Sequence, residues 1–205
     1  FSNSMLPGKK MSKMKTFKSL LTANRYLLTK KYAGVSIGFV PTMGALHEGH
    51  LSLIRKSRRE NQITVVSIYV NPTQFNEQSD FTTYPRNIEA DLKKLKTVLG
   101  SDDVVFIPSD NEMYPDKDNT VFDFGILDKS MEGAHRPGHF IGVAQIVKKL
   151  FHVVQPKRAY FGEKDFQQLT IIKHLVKQQQ LDIEIVACPI VREESGLAMS
   201  SRNER

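Results

Sequence analysis

Cysteine is almost absent from this chain of 205 residues. The one thiol, Cys188, has no partner for an internal disulfide, which fits a reducing, cytoplasmic setting. Long apolar runs are missing too. None approaches the roughly 18 residues that a membrane helix needs. The N-terminus has no apolar signal-peptide core, so neither secretion nor a membrane partner is expected. Repeats and low-complexity tracts are also lacking, which excludes a solenoid. Acidic residues are missing from one region. Residues 1–31 hold eight lysines and arginines and no Asp or Glu. The other 174 residues hold 21 basic and 22 acidic side chains, a net of −1. The overall charge of +7 is therefore local to the N-terminal segment. It reads as a solvated helix face plus a flexible leader rather than a nucleic-acid groove. Phe1–Ser4 resemble an added remnant and are set aside.

What is present is ordinary for a globular domain, 40% apolar and 25% charged. From Thr16, the positions Phe17, Leu20, Leu21, Leu27 and Leu28 recur at helical spacing, and Gly34 ends that helix. A strand is expected over Val35–Val40, then a helix from about Gly49 to Asn61. "ITVVSIYV" (Ile63–Val70) is a continuous β-branched run, suited to a strand covered on both faces. A helix over Asn87–Leu99 and a strand over Val104–Pro108 follow. "NTVFDFG" suggests a short strand or hairpin. Then come a helix over Phe140–Val154, a strand at "RAYFG", a helix over Gln167–Gln180 and a strand over Ile183–Val191. This alternation predicts an α/β fold with a doubly wound parallel sheet. Such sheets bind ligands at the carboxyl ends of their strands. Each polar motif of this chain directly follows a predicted strand, so the motifs are expected to share one site.

The first motif is "MGALHEGH" (Met43–His50). Its glycines allow close backbone approach, and a helix N-terminus suits an anionic phosphate. His47 and His50 can donate to phosphate oxygens and stabilise charge that develops in a transition state. "SGLAMSSRN" (Ser195–Asn203) adds hydroxyls and the planar donors of Arg202. In "YFGEKDFQQL" (Tyr160–Leu169), Gly162 gives backbone access and Lys164 a point charge. Glu163 and Asp165 can orient that lysine or hold ribose hydroxyls. "VNPTQFN" (Val70–Asn76) supplies the neutral amides Asn71 and Gln74, suited to a hydroxylated anion. "MEGAHRPGHF" adds Glu132, His135, Arg136 and His139 around a turn. Four histidines at 47, 50, 135 and 139 raise a transition-metal site as an alternative, though cysteine ligands are missing. ATP chemistry instead calls for Mg²⁺, which needs one or two carboxylates plus phosphates. Asp91 is the candidate ligand; its other reading is a plain exposed helix acid. Together the motifs read as an ATP-using nucleotidylyl-transferring α/β protein.

The stretches "PTMGALHEGH", "YVNPTQF", "DFTTYPR", "MEGAHRPGHF", "YFGEKDFQQL" and "VREESGLAMSSRN" fall in order between Val35 and Asn203. In them the chain resembles the pantoate–β-alanine ligase (pantothenate synthetase) family. The resemblance implies a Rossmann-like domain over residues 13–205, after a leader at 1–12. It implies ligation of pantoate and β-alanine, with ATP, through a pantoyl adenylate. It places Met43, Gly44, Ala45, Leu46, His47, Glu48, Gly49 and His50 on ATP. Gly162, Glu163, Lys164, Asp165, Val191, Met199, Ser200, Ser201 and Arg202 join them. His50, His47 and Lys164 are the expected catalytic group. Gln74 and Gln168 are expected to hold pantoate, with Gln74 also helping β-alanine, and Asn71 and Arg136 in support. A homodimer is implied as well. The family pattern continues past Asn203 into a lid-like domain that this chain lacks, so the Ser200–Arg202 segment is expected to be loosely placed. A nucleotidylyltransferase acting on a phosphate ester is the alternative within the same superfamily.

Overall fold

The computed structural model describes residues 14–204. The 1–12 leader lies outside them. Six strands form one sheet: β1 (Lys15–Phe17), β2 (Ile37–Thr42), β3 (Ile63–Ile68), β4 (Val104–Phe106), β5 (Arg158–Gly162) and β6 (Glu184–Cys188). Their order is β1-β4-β3-β2-β5-β6, and every neighbouring pair is parallel. The predicted doubly wound sheet is therefore present.

Side chains on a strand alternate between faces, and a parallel sheet needs both faces covered. All six residues of β3 are buried. Ile37, Phe39, Ile63, Val65, Val104, Phe106, Ala159 and Phe161 point to one core. There they meet α1 (Leu20–Tyr32), α7 (His139–Val154) and α8 (Phe166–Gln178). Val40, Val66, Ile68, Val105 and Tyr160 point to the other core, under α2 (Glu48–Glu60) and α4 (Ile88–Leu95). Each such aliphatic side chain contributes about 1.5–3 kcal/mol by leaving water. Three short helices lie in the connections: α3 (Gln78–Thr83), α5 (Asp110–Met113) and α6 (Glu132–His135).

Two expectations are corrected. Thr16 and Phe17 belong to an edge strand, not to the first helix, because Lys15–Phe17 pairs with Val104–Phe106. "NTVFDFG" is neither strand nor hairpin. Phe122 and Phe124 do turn inward, at 5% and 3% exposure, while Val121 is exposed. The rings stack at 5.7 Å and the backbone runs as a loop.

The chain winds from β2 outward through β3 and β4, then returns to place β5 on the other side of β2. The crevice between the carboxyl ends of β2 and β5 is therefore the switch point, where open α/β sheets take their ligands.

Candidate functional site

A cavity of about 230 Å³ opens at that switch point, lined by Val40–Thr42 of β2, Met43 just after it, and Tyr160–Gly162 of β5. Of the residues singled out in the sequence, it brings together Met43, His47, Gly49, His50, Gly162, Lys164 and Asp165. Val191, Met199, Ser200, Ser201, Arg202, Asn71, Gln74 and Gln168 line it as well. Gly44, Ala45, Leu46, Glu48, Glu163 and Arg136 do not. Glu48 is exposed and pairs with Arg55.

The two histidines answer to the geometry of a helix start. His47 is the N-cap of α2 in extended conformation, and His50 is the third residue of the helix. Nδ1 of His50 accepts the His47 backbone N–H at 3.3 Å, half of a reciprocal capping box. The rings lie 4.1 Å apart. With Nδ1 accepting, a neutral His50 carries its proton on Nε2 and presents a donor. It is held neutral, its pKa lowered to about 3. Burial is the largest cause, followed by the charges of His47, Lys164 and Lys94. The site is thus electropositive and its histidine uncharged, a setting for a polyanion.

The loop before these histidines is strained. Gly44 has φ +81° and Ala45 φ +48°. A residue bearing a Cβ adopts that left-handed form at a cost of about 1–2 kcal/mol. A Cβ on Gly44 would also lie 2.9 Å from Asp91. Asp91 is not an exposed helix acid: it is 2% exposed, and its oxygens accept the Ala45 and Leu46 amides at 3.0 and 2.7 Å. Those two amides therefore serve Asp91 rather than a phosphate.

The amide floor is tightly specified. Asn71, 1% exposed, donates to Gln74 Oε1 at 3.2 Å and to the Gly142 carbonyl at 3.1 Å. Its own oxygen accepts from Tyr114 at 2.8 Å and Thr73 at 3.1 Å. Its bonds are spent on positioning, and Gln74 is left to face the cavity. Arg136 and His139 act behind the same residue. Both reach the Gln74 carbonyl, at 3.4 and 2.7 Å. His139 was visible only as part of a motif.

The C-terminal segment closes the other side. Ser201 Oγ donates to the Ala45 carbonyl at 3.0 Å, and Arg202 pairs with Asp80 at 2.7 Å beside the Tyr84 ring. Lys164 lies across the cavity, 3.2 Å from Asp165. Sequence reasoning missed the apolar wall of α7, formed by Val143, Ile146, Val147 and Leu150, and the tyrosines 69, 84 and 160. α7 is apolar around most of its circumference, and that pattern was the available signal.

A parallel sheet with uncharged donors and cations gathered at its switch point defines an α/β enzyme for an anionic small molecule. The profile of the pantoate–β-alanine ligase family matches residues 10–205. The chain is 55% identical over 192 residues to a pantothenate synthetase of Bacteroides fragilis, covering 94% of this chain and 67% of that one. The Francisella tularensis pantoate–β-alanine ligase, solved with "beta-gamma ATP and beta-alanine", superposes with a TM-score of 0.88. It is 41% identical, with 94% of this chain and 73% of that one covered. The pantothenate synthetase of Thermus thermophilus gives 0.84 at 45% identity, covering 93% and 67%. This chain therefore belongs to the pantoate–β-alanine ligase family, a family of ligases, and spans about two thirds of the length of its curated relatives.

Proposed function

We propose that this cavity binds ATP and pantoate, joins them as pantoyl adenylate with release of pyrophosphate, and passes the pantoyl group to β-alanine, giving pantothenate and AMP. One observation carries the reading. At the β2–β5 switch point, uncharged His50 and the cations Lys164 and Arg202 share a cavity with the amides Gln74 and Gln168. Donors and cations suit a triphosphate; neutral amides suit a hydroxylated carboxylate.

In this reading Gln74 and Gln168 fix pantoate so that its carboxylate meets the α-phosphate in line. His50 donates from Nε2 to a phosphate oxygen as charge builds there, with no proton transfer required. His47, Lys164 and Arg202 stabilise the remaining phosphates. Adenylation turns a poor acyl donor into one with a good leaving group. The neutral β-alanine amine then attacks the pantoyl carbonyl carbon, the C–N bond forms, AMP departs with the C–O bond electrons, and the amine nitrogen releases a proton to solvent.

Magnesium neutralises the triphosphate when it accompanies ATP. Among the described residues no group of three or more His, Cys, Asp or Glu could hold a metal. The phosphates are therefore its main expected ligands. Asp91, with both oxygens on backbone amides, fits that role poorly. The described residues are read as one ATP- and pantoate-binding domain of a homodimer. A cytoplasmic location fits the single buried Cys188, and no described helix is long and apolar enough to cross a membrane.

The test is pantoate-dependent exchange of labelled pyrophosphate into ATP. Exchange is expected with pantoate. Exchange only with a phosphate ester would instead favour another nucleotidylyltransferase.

A further inference from the structure

Ala45 and Leu46 are held in an unusual way. All four backbone polar groups of this pair bond to side chains. Asp91 accepts both amides, at 3.0 and 2.7 Å. Ser201 Oγ donates to the Ala45 carbonyl at 3.0 Å, and Lys94 Nζ donates to the Leu46 carbonyl at 2.5 Å. Successive amides aimed at one carboxylate form an anion-binding concavity, filled here from inside the protein. The next residue is His47. With Gly44 and Ala45 left-handed and Leu46 bonded at both polar groups just before the helix cap, the loop has little freedom to re-aim the two rings.

We propose that Asp91 and Lys94, one turn apart on α4, are positioning residues that set the direction in which His47 and His50 meet the reacting phosphate. Neither side chain lines the histidine cavity. Asp91 lines a different one, of about 420 Å³, on the other side of Met43 and Gly44, together with Ile68, Asn87 and Asp110. Asp91 is therefore a brace beneath the loop rather than a ligand of the metal that accompanies ATP. Each Asp91 oxygen already accepts a buried backbone amide, so a cation drawn to the carboxylate would compete with the bonds that hold the loop. Lys94 adds a second function, since its charge helps hold His50 neutral.

The inference rests on the ligase reading, and its test separates the two. Full-length wild type, Asp91→Asn and Lys94→Met are compared in two measurements. One is amide hydrogen exchange at Ala45 and Leu46. The other is pantoate-dependent pyrophosphate exchange over a range of ATP and Mg²⁺ concentrations. Asp91→Asn puts an amide group against two N–H donors. It is expected to lose protection at both amides and to lower kcat about 100-fold, as misplacement of a reacting group does. KM for ATP and the half-activating Mg²⁺ concentration should stay near wild type. Lys94 is only partly buried, so Lys94→Met should fold normally, lose protection at Leu46 and show a smaller fall in kcat. Unchanged protection in both variants would overturn the proposal. So would recovery of Asp91→Asn by excess Mg²⁺, which would make Asp91 a metal ligand. If Asp91→Asn fails to fold, Lys94→Met decides. If wild type gives no pyrophosphate exchange, the ligase reading fails while amide exchange still decides this one.

Discussion

The two sides of the cavity are built differently. The histidine side is a buried, strained loop fixed by the carboxylate of α4 and continued into a helix of 13 residues. The C-terminal side is one antiparallel bridge, Arg192 to Ala198, and a 3₁₀ turn at Ser201–Glu204. Apart from Ser201 it is largely exposed or half-buried, and side chains hold it: Ser201 on Ala45, Arg202 on Asp80, Asn203 on Glu193. The difference separates two tasks. Under the proposed function, the histidines are aimed before any ligand arrives, which avoids reorganisation during reaction. Arg202, paired with Asp80, would exchange that carboxylate for an incoming phosphate.

The contrast can be broken most sharply at His50. His50→Ala is predicted to lower kcat for pyrophosphate exchange by about 100- to 1000-fold, the usual cost of one preorganised donor, with the far-ultraviolet circular dichroism spectrum little changed. Next comes the floor beneath both sides. A Cβ at Gly142 would sit 2.5 Å from the Thr73 carbonyl oxygen and 2.9 Å from the Gln74 nitrogen, both backbone atoms. Gly142→Ala is predicted to cost about 1–3 kcal/mol in urea unfolding and to raise KM for pantoate.

On the C-terminal side, Arg202→Ala should raise KM for ATP by about tenfold or more, with kcat less affected. Asp80→Asn should do the opposite, a slight fall in KM for ATP with a stability change below about 1 kcal/mol, because the pair is partly solvated. Equal effects of Arg202→Ala and His50→Ala on kcat would erase the distinction between the two sides.

The smallest effect concerns pH. Burial and neighbouring cations lower the His50 pKa from 6.5 to about 3. The unfolded chain then binds a proton that the folded one refuses. This contribution is fully present above about pH 6.5 and is lost as pH falls toward 3. No limb near pH 6.5 in the exchange rate should disappear in His50→Ala; a limb that did would show a His50 that titrates normally.

Much of this fold was readable because β3 is buried on both faces, which leaves an unbroken β-branched run, and because each motif follows a strand. Edge strand β1 was not, since its partner β4 lies far along the chain and three residues carry no period. Phe122 and Phe124 misled for the converse reason. They alternate like a strand while packing as loop anchors, Phe124 edge-on to His174 at 5.7 Å. Within the site, the types of residue that meet at the cavity were legible from their motifs. The role of Asp91 was not. Its partners are backbone amides 45 and 46 positions away, and backbone amides leave no mark on a sequence.

The capping of α2 by its own histidines has a further effect. Two imidazoles with rings this close would ordinarily attract zinc or copper. Here the Nδ1 lone pair of His50 is committed to opening the helix, and Nε2 carries the hydrogen. A soft metal could take that ring only by moving its proton and unpicking the first turn of α2. The same bond that caps the helix therefore sets the tautomer of His50, and under the proposed function it is what gives the ring an N–H to offer a phosphate.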